Sequence, residues 1–459
     1  MLYIIKTNVK EILMSDIVFS PSLFSACGLT KKFIDEIAKE TGFYKRSPRK
    51  INLLDLVEHL CGESVKGTVS YNDLAARIQP VTGVIVSRQA CWERIHEDGC
   101  VAFFKSLLAM IMLLKLHPQE LEKLKSYSMF KRILIQDSTI IQLPARLFEA
   151  FSGVKNAHAT TCNARIQGIY DLCSGHFISF SIDPYSKNDV SVASDVQTQP
   201  GDLILRDRGY FLMETIGEFK KNGSDTISRY KHKTMFHDVQ TKEEINLLEL
   251  LTLNGSVDMR ALAGKNKNIP VRLLAAPATE EIANLRRMKA RKENKGHAPS
   301  KELLQLMAWS IFIVTIEDPA ITLKHVMALY GLRWRIEDIF KTWKSSFSFS
   351  KLHNVSKNQL HVLLTARLIV ISLCYHSAYV PIGYEILRRS CRQLSLMKFT
   401  RYVVQNMILL PKMLNPNLWN DSLLDAIAHY CSYEKRRRQH FLADADAIFT
   451  ELSCLKTLP

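Results

Sequence analysis

Two aspartates in this sequence stand where metal-dependent chemistry often needs a carboxylate, at the ends of short apolar runs. Asp137 follows the run 132–136, and Asp207 follows the run 202–206. Both runs have the length and composition of buried strands. Carboxylates at the ends of adjacent strands can bind hard cations such as Mg²⁺ through their oxygen atoms. An Asp after a strand is more often a turn or cap residue, so this pair does not decide the function by itself.

A third candidate carboxylate lies in residues 330–344, the most specific segment of the chain. At helical spacing, one side of this segment carries five polar side chains, three or four residues apart: Tyr330, Arg333, Glu337, Lys341 and Lys344. Glu337 could complete a two-metal site, while Arg333 and Lys344 could hold phosphate groups. An amphipathic helix with an ion pair between Glu337 and Lys341 would show the same spacing, so the residue types leave both interpretations open.

The spacing of four of these residues resembles a family signature. Tyr, two residues, Arg, three residues, Glu, six residues and Lys is similar to the signature of the insertion-sequence-four family of bacterial DDE transposases. The matching residues are Tyr330, Arg333, Glu337 and Lys344. The segments around Asp137 and Asp207 also resemble the first and second acidic motifs of that family. The resemblance covers about residues 131–350, and the three motifs occur in the family's order.

The resemblance implies an α/β fold, a ribonuclease-H-like mixed sheet with a β-rich insertion, flanked by helical N-terminal and C-terminal regions. It also implies a DNA transposase that cleaves transposon ends and joins them to target DNA through a hairpin intermediate. Asp137, Asp207 and Glu337 would bind two Mg²⁺ ions, which Mn²⁺ could replace. The partners would be double-stranded DNA, as transposon inverted repeats and as target, and a second copy of the chain in a homodimer.

The same resemblance assigns DNA contacts to particular side chains. The residues expected to hold the phosphate near the cut are Tyr330, Arg333 and Lys344, with Lys341 on the same helix side as a further DNA-binding candidate. Trp309 precedes a predicted strand and would hold a base that is extruded when DNA bends into the hairpin. A Trp at the start of a strand is commonly a core residue. Arg208 is expected near the backbone phosphates, and Gly209 is expected to be structural.

Helical periodicity dominates the first ~130 residues. Residues 70–78 predict a short helix that Pro80 ends, and a second helix is predicted to begin at Ser87. A helix, a turn and a second helix outline a helix-turn-helix, in which Arg88 and Gln89 would face DNA. Any helical bundle can produce the same pattern, so both interpretations stay open.

Changes of periodicity predict four regions. Residues 1–128 would form a helical DNA-binding region, 129–230 with 320–350 the catalytic domain, 231–319 the β-rich insertion, and 351–459 a helical C-terminal region. Within the catalytic domain, residues 166–170 and 176–182 predict a hairpin. The basic run 286–292 is expected to be a solvated helix face, and a solvated face or a DNA contact would explain the run 435–438 equally well.

The composition favours a polyanionic partner. The chain has 61 Lys and Arg against 45 Asp and Glu, a formal net charge of +16, and phosphate contacts are the usual reason for such an excess. Ten scattered cysteines without a C-x-x-C pair indicate neither a zinc cluster nor a disulfide framework and fit a cytoplasmic setting. The most apolar stretch, 360–382, holds Arg367 and is interrupted by Pro381, so a buried helix explains it better than a membrane span.

Two alternatives to an active transposase remain at this point. The chain could be another two-metal nuclease of the same fold, or a non-catalytic DNA-binding derivative. The hairpin step explains the Tyr, Arg and Lys of the signature, which argues against the first alternative. The intact Asp137, Asp207 and Glu337 argue against the second.

Overall fold

The computed structural model describes residues 22–44, 52–113, 129–155, 160–193, 195–266, 268–293, 298–434, 447, 450 and 451. The basic run 435–438 therefore lies outside the described residues. The strands are β1 (Arg132–Leu143), β2 (Ser152–Lys155), β3 (Thr160–Asp171), β4 (His176–Pro184), β5 (Asp202–Arg206), β6 (Asp225–Arg229), β7 (Phe236–His237), β8 (Val257–Ala263), β9 (Ile269–Pro277) and β10 (Trp309–Val314).

Helices precede, interrupt and follow these strands along the chain. They are α1 (Lys31–Glu40), α2 (Leu53–Ser64), α3 (Tyr71–Thr82), α4 (Arg88–His96), α5 (Asp98–Leu113), α6 (Met213–Lys221), α7 (Leu247–Asn254), α8 (Glu280–Glu293), α9 (Lys301–Leu306), α10 (Leu323–Gly331), α11 (Trp334–Ser346), α12 (Lys357–Ser372), α13 (Val380–Ser390), α14 (Leu396–Gln405), α15 (Leu410–Leu414) and α16 (Asp421–Cys431).

Among the described residues, the strands form one ten-stranded mixed sheet. Its order is β2-β3-β1-β5-β6-β10-β9-β8-β7, with β4 paired to β3. β1 runs antiparallel to β3 but parallel to β5, and β5 runs parallel to β6. β5 is buried at every residue, as expected of a central strand that is covered on both faces. The predicted hairpin is confirmed as β3 and β4, which turn at Gly175 with a φ of 68°.

The segment predicted as an insertion extends the same sheet. β10 pairs antiparallel with β6 on one side and with β9 on the other, and β8 and β7 follow outwards. The segment also contains α7, α8 and α9. The basic run 286–292 lies on α8, where Lys289 and Lys292 are exposed. Arg286 is half-buried and donates to the carbonyl oxygen of Trp309, so only part of the run is a solvated helix face. A hydrophobic cluster that includes Leu251, Leu273 and Ile313 holds these elements together.

Pro80 does not end α3, so this prediction was wrong. The helix continues to Thr82, and Gly83 ends it in the left-handed conformation, with its N–H bonded to the carbonyl oxygen of Gln79. A proline in the last turn removes one helical hydrogen bond only, which the glycine cap offsets. Ser87 caps α4 through the N–H of Ala90, as the sequence predicted.

The apolar stretch around Arg367 is a buried helix, as predicted, but Pro381 does not interrupt it. A π-helical segment, Leu373–Tyr379, joins α12 to α13 without a break, and Pro381 follows it in the first turn of α13. The helix thus continues through Pro381, although a proline cannot donate a backbone hydrogen bond. Residues Lys357–Ser390 are long and apolar enough to cross a membrane, yet 94% of their most apolar window is buried inside the protein. Packing against α2 and α5 therefore explains the apolar sequence.

Candidate active site

The sheet register brings the two predicted aspartates together. In the parallel pair of β1 and β5, Gln136 lies opposite Arg206, so Asp137 and Asp207 occupy the next position on neighbouring strands. Neighbouring strands lie about 4.8 Å apart. β1 continues past Asp137 to Leu143, so the prediction that this strand ends at Asp137 was wrong; only its pairing with β5 ends at Gln136. The two carboxylates therefore start from adjacent points where the pairing of β1 with β5 ends. Asp137 is partly buried, whereas Asp207 is exposed in the turn that follows β5.

The third predicted carboxylate reaches this edge from α11. Arg333 caps the start of that helix, and Glu337 lies in its first turn. The Arg333 guanidinium joins two acidic residues, since Nη1 lies 3.2 Å from Oδ2 of Asp137 and Nη2 lies 2.7 Å from Oε1 of Glu337. Asp207 also acts on the charge of Arg333. One buried cation thus contacts two of the three acidic residues that the sequence singled out and interacts electrostatically with the third.

The electrostatics show how strongly these groups depend on one another. Burial raises the pKa of Asp137 to about 7, against the opposing effects of the Ser138 N–H and of Arg333. Burial acts to lower the pKa of Arg333, but Tyr330, Asp137 and Glu337 together raise it above its ordinary value. The ionised form of Asp137 therefore needs a neighbouring cation.

The three carboxylates fit a divalent cation by their chemistry. They supply hard oxygen ligands from rigid elements, and they already hold a positive charge between them. In the described part of the chain, no group of three or more His, Cys, Asp or Glu side chains is already spaced to hold a metal ion. Here Asp137 and Glu337 face each other across the guanidinium group of Arg333 rather than directly.

The predicted phosphate-binding residues lie on α10 and α11. Tyr330 is buried, and its hydroxyl donates to the carbonyl oxygen of Arg206 at 3.3 Å, so it braces the end of β5. Lys344 is on the exposed side of α11, although partial burial lowers its pKa. Lys341 is 65% exposed and pairs with Asp338 at 3.8 Å.

A basic cavity of about 320 Å³ opens beside the second aspartate. Arg208, directly after Asp207, forms one wall, and Trp309 at the start of β10 forms part of the other. Further lining residues are Arg229, Tyr230 and Arg286. The indole N–H of Trp309 donates to the carbonyl oxygen of Gly255 at 3.0 Å, so the ring is fixed in place.

Comparison with known proteins then decides the family. A family model described as Transposase DDE domain matches residues 128–373, which is more than half of the chain. The chain belongs to the DDE transposase family. Its fold is therefore the ribonuclease-H-like mixed sheet predicted above, and its activity is the cleavage and joining of DNA. Members of this family depend on divalent metal ions, and DNA is their partner.

Curated relatives support the same family over most of the length. The transposase for insertion sequence element IS231D of Bacillus thuringiensis subsp. finitimus is 29% identical over 427 residues, covering 87% of this chain and 88% of the relative. The transposase for element IS1151 of Clostridium perfringens is 26% identical over 365 residues, covering 74% and 76%. A solved synaptic complex of the piggyBac transposase with hairpin DNA covers 91% of this chain and 87% of its own at 10% identity, with a TM-score of 0.42.

Two residues of this DDE transposase escaped the sequence analysis. Trp334 directly follows Arg333 and is 55% exposed, with Arg333 and Lys341 lying over its ring at 5.2 and 6.0 Å. Its position directly beside the signature arginine was the sequence signal that could have marked Trp334 as a candidate. Asp189 contacts the residue after Asp137, and no local pattern marks it.

The N-terminal candidates lie at the start of α4. Arg88 and Gln89 are both exposed, and the side chain of Gln89 donates to Glu93 at 3.0 Å. α4 packs between α3, α5 and α12, so these two residues project from a helical bundle. Their contact with DNA stays a prediction.

Proposed function

We propose that this transposase cuts DNA at the ends of its own insertion sequence and joins those ends to target DNA through a hairpin intermediate. Asp137, Asp207 and Glu337 would hold two Mg²⁺ ions, or Mn²⁺ in their place. The observation that carries the proposal is the convergence of these carboxylates around Arg333 at one edge of the sheet. When bound, the metal ions would activate the attacking oxygen and neutralise charge on the phosphate.

The reaction would consist of four phosphoryl transfers. A water oxygen attacks phosphorus at the transposon end, and the 3′-oxygen leaves as a hydroxyl. That hydroxyl attacks the opposite strand and forms the hairpin, a second water opens it, and the same 3′-hydroxyl attacks target DNA. Each step exchanges one P–O bond for another, so positioning and charge neutralisation supply most of the catalysis.

Arg333 and its neighbours would hold the phosphate that is cut. A phosphate group offers Arg333 an alternative to its ion pairs with Asp137 and Glu337, and the planar guanidinium can bind it bidentately. Lys344 is exposed on the same helix and would add a second positive charge. Tyr330 would act through the end of β5, which its hydroxyl braces, in addition to any phosphate contact.

The basic cavity supports the hairpin step. Sharp bending unstacks a base, which must be held outside the helix. A cavity of about 320 Å³ with Trp309 in its wall could receive that base, and base–aromatic stacking contributes about 1–3 kcal/mol. Arg208 and Arg229 line the same cavity and would hold the adjoining phosphate.

The remaining parts of the proposal concern binding. The region 1–128 would bind the inverted repeats through α4, with Arg88 and Gln89 facing the DNA, and a homodimer would bring two ends together. We further propose that residues 129–230 and 320–350 form the catalytic domain, residues 231–319 its insertion and residues 351–459 a separate C-terminal region. The protein would act in the cytoplasm.

Cleavage of a supercoiled plasmid tests this function. The plasmid carries the two DNA segments that flank the gene, and a control plasmid lacks them. We expect nicks, hairpins and double-strand breaks at the segment ends only when Mg²⁺ is added. Equal cleavage of both plasmids would favour another two-metal nuclease, and a shifted band without cleavage would favour a non-catalytic DNA-binding derivative.

A further inference from the structure

Asp189 is a further carboxylate at the edge of the sheet that carries Asp137 and Asp207. It lies in the loop between β4 and β5, directly before the short turn Val190–Val192. Its Oδ1 atom accepts hydrogen bonds from Nη1 of Arg165 at 2.7 Å and from Oγ of Ser138 at 3.1 Å. A carboxylate with these partners is engaged by the protein rather than open to a ligand.

Asp189 is connected to the first catalytic strand through Ser138. The N–H of Ser138 donates to Oδ1 of Asp137 at 2.8 Å, while the hydroxyl of the same residue donates to Asp189. Arg165, on the neighbouring strand β3, donates to both Ser138 and Asp189. A shift of Asp189 would therefore move the residue that orients the Asp137 carboxylate.

Asp189 also packs against the turn that follows the second catalytic strand. A Cβ atom at Gly209, two residues after Asp207, would lie only 3.0 Å from Oδ2 of Asp189. The next residue, Tyr210, donates its hydroxyl to Gln167, whose amide nitrogen lies 3.4 Å from Oδ1 of Asp189. The expectation that Gly209 is structural thus has a cause, since a larger residue at this position would push the Asp189 carboxylate out of its place.

The ion pair of Asp189 with Arg165 is sheltered from water. The side chain of Arg165 is 10% exposed and that of Asp189 is 25% exposed. Screening by solvent is weaker for such a pair than for an exposed one. One sheltered carboxylate is thereby held between Ser138 of β1 and the turn that follows β5.

We propose that Asp189 is a positioning residue that fixes the distance between Asp137 and Asp207 and so sets the affinity of the site for divalent cations. This inference rests on the proposed metal site. Partners that orient the groups around a metal ion commonly change its affinity by about 10- to 100-fold when they are lost. If Asp189 supported folding alone, its replacement would lower the stability of the protein without lowering its affinity for the metal ion.

Binding of Mn²⁺ to the full-length protein without DNA tests the proposal. Free Mn²⁺ is measured by electron paramagnetic resonance during a titration, and unfolding is followed in parallel by heating. We expect Asp189→Ala to weaken Mn²⁺ binding by about tenfold or more. We expect Asp189→Asn to retain most of the affinity, because its amide oxygen can still accept from Ser138 and Arg165.

The matched control is Asp258→Ala. Asp258 forms a comparable ion pair with Arg272 at 2.6 Å on β8 and β9, away from the catalytic edge. The Asp258→Ala variant should bind Mn²⁺ with unchanged affinity. Wild-type affinity in Asp189→Ala, or an equal loss in Asp258→Ala, would overturn the proposal.

Gly209→Ala provides a second route if Asp189→Ala does not fold. It keeps every carboxylate but places a methyl group against Asp189, so it should also weaken Mn²⁺ binding. Unchanged binding would overturn the proposal. Failure of the wild-type protein to bind Mn²⁺ would instead contradict the metal site of the proposed function, which separates the two ideas.

Discussion

Arg333 controls the charge balance among the acidic residues. Its side chain is 6% exposed and bonds to carboxylates that come from two different elements. Burial raises the pKa of Asp137 to about 7 although Arg333 opposes the rise, so the pKa of this carboxyl would be higher still without the arginine. In this structure Arg333 therefore stabilises the ionised form of Asp137 and pairs with Glu337, besides its proposed contact with a DNA phosphate.

Replacing Asp137 or Asp207 by Asn, or Glu337 by Gln, should abolish cleavage. Each amide keeps the shape of the side chain but removes one of the negative charges that would hold the metal ions. Cleavage is measured on the plasmid that carries the flanking segments, and DNA binding is measured by mobility shift. Binding should persist in all three variants, and its loss together with cleavage would contradict the assignment of these residues to catalysis.

Arg333→Gln should strengthen Mn²⁺ binding to the DNA-free protein by about tenfold, because a nearby competing charge disappears. The same variant should cleave DNA more slowly, because the phosphate loses its bidentate partner. Metal binding is measured by the Mn²⁺ titration described above. Lys341→Gln is the control, since Lys341 is exposed and pairs with Asp338 instead. Weaker metal binding in Arg333→Gln would show that this arginine supports the metal site rather than competing with it.

At the scale of elements, α11 sets the direction from which Glu337 approaches the sheet. Ile336, Ile339, Phe340 and Trp343 on this helix are all buried. Burial of this apolar face fixes the rotation of the helix about its axis. Glu337 is consequently held toward Asp137 and the end of β5.

The start of β10 provides a prediction about the hairpin step. Trp309→Ala should slow hairpin formation more than first nicking, because only the hairpin requires an extruded base. Trp309→Phe is the matched variant, since it keeps an aromatic ring but loses the hydrogen bond to Gly255. It should retain part of the hairpin activity. Nicked and hairpin products are separated on denaturing gels, and equal slowing of both steps by Trp309→Ala would remove the proposed role.

At the scale of the whole molecule, Arg367 ties the N-terminal helices to the catalytic end. This residue of α12 is 0% exposed. Its guanidinium donates to the carbonyl oxygens of Ser64, the last residue of α2, and of Gly67 just after it. It also donates to those of Phe349 and Lys351, which follow α11. Burial lowers its pKa to about 10, so it stays charged at neutral pH.

Arg367→Leu should lower the free energy of unfolding by about 3–5 kcal/mol, because it leaves several buried carbonyl groups without a donor. Urea unfolding followed by circular dichroism measures this loss. The control is Arg388→Leu, which removes an exposed ion pair with Glu385 and should change stability little. Similar stability of both variants would show that the Arg367 contacts do not join the two parts of the molecule.

The sequence by itself determined the strand that ends before Asp207, the buried helix around Arg367 and the spacing of the signature, whereas β1 continues through Asp137 to Leu143 instead of ending there. These features depend on residues close together in the chain, whose periodicity and capping are local properties. The helix end at Pro80 was mispredicted, because the helix continues to Thr82 and ends only at the glycine cap Gly83. The apolar helix also continues through Pro381, directly after a π-helical segment that no local pattern revealed. Tertiary structure alone decided the partners of Arg333, the position of Asp189 and the extension of the sheet by β7–β10. Arg333 and Asp137 lie 196 residues apart, and their contact depends on how a helix face and a sheet edge pack, which no local pattern encodes.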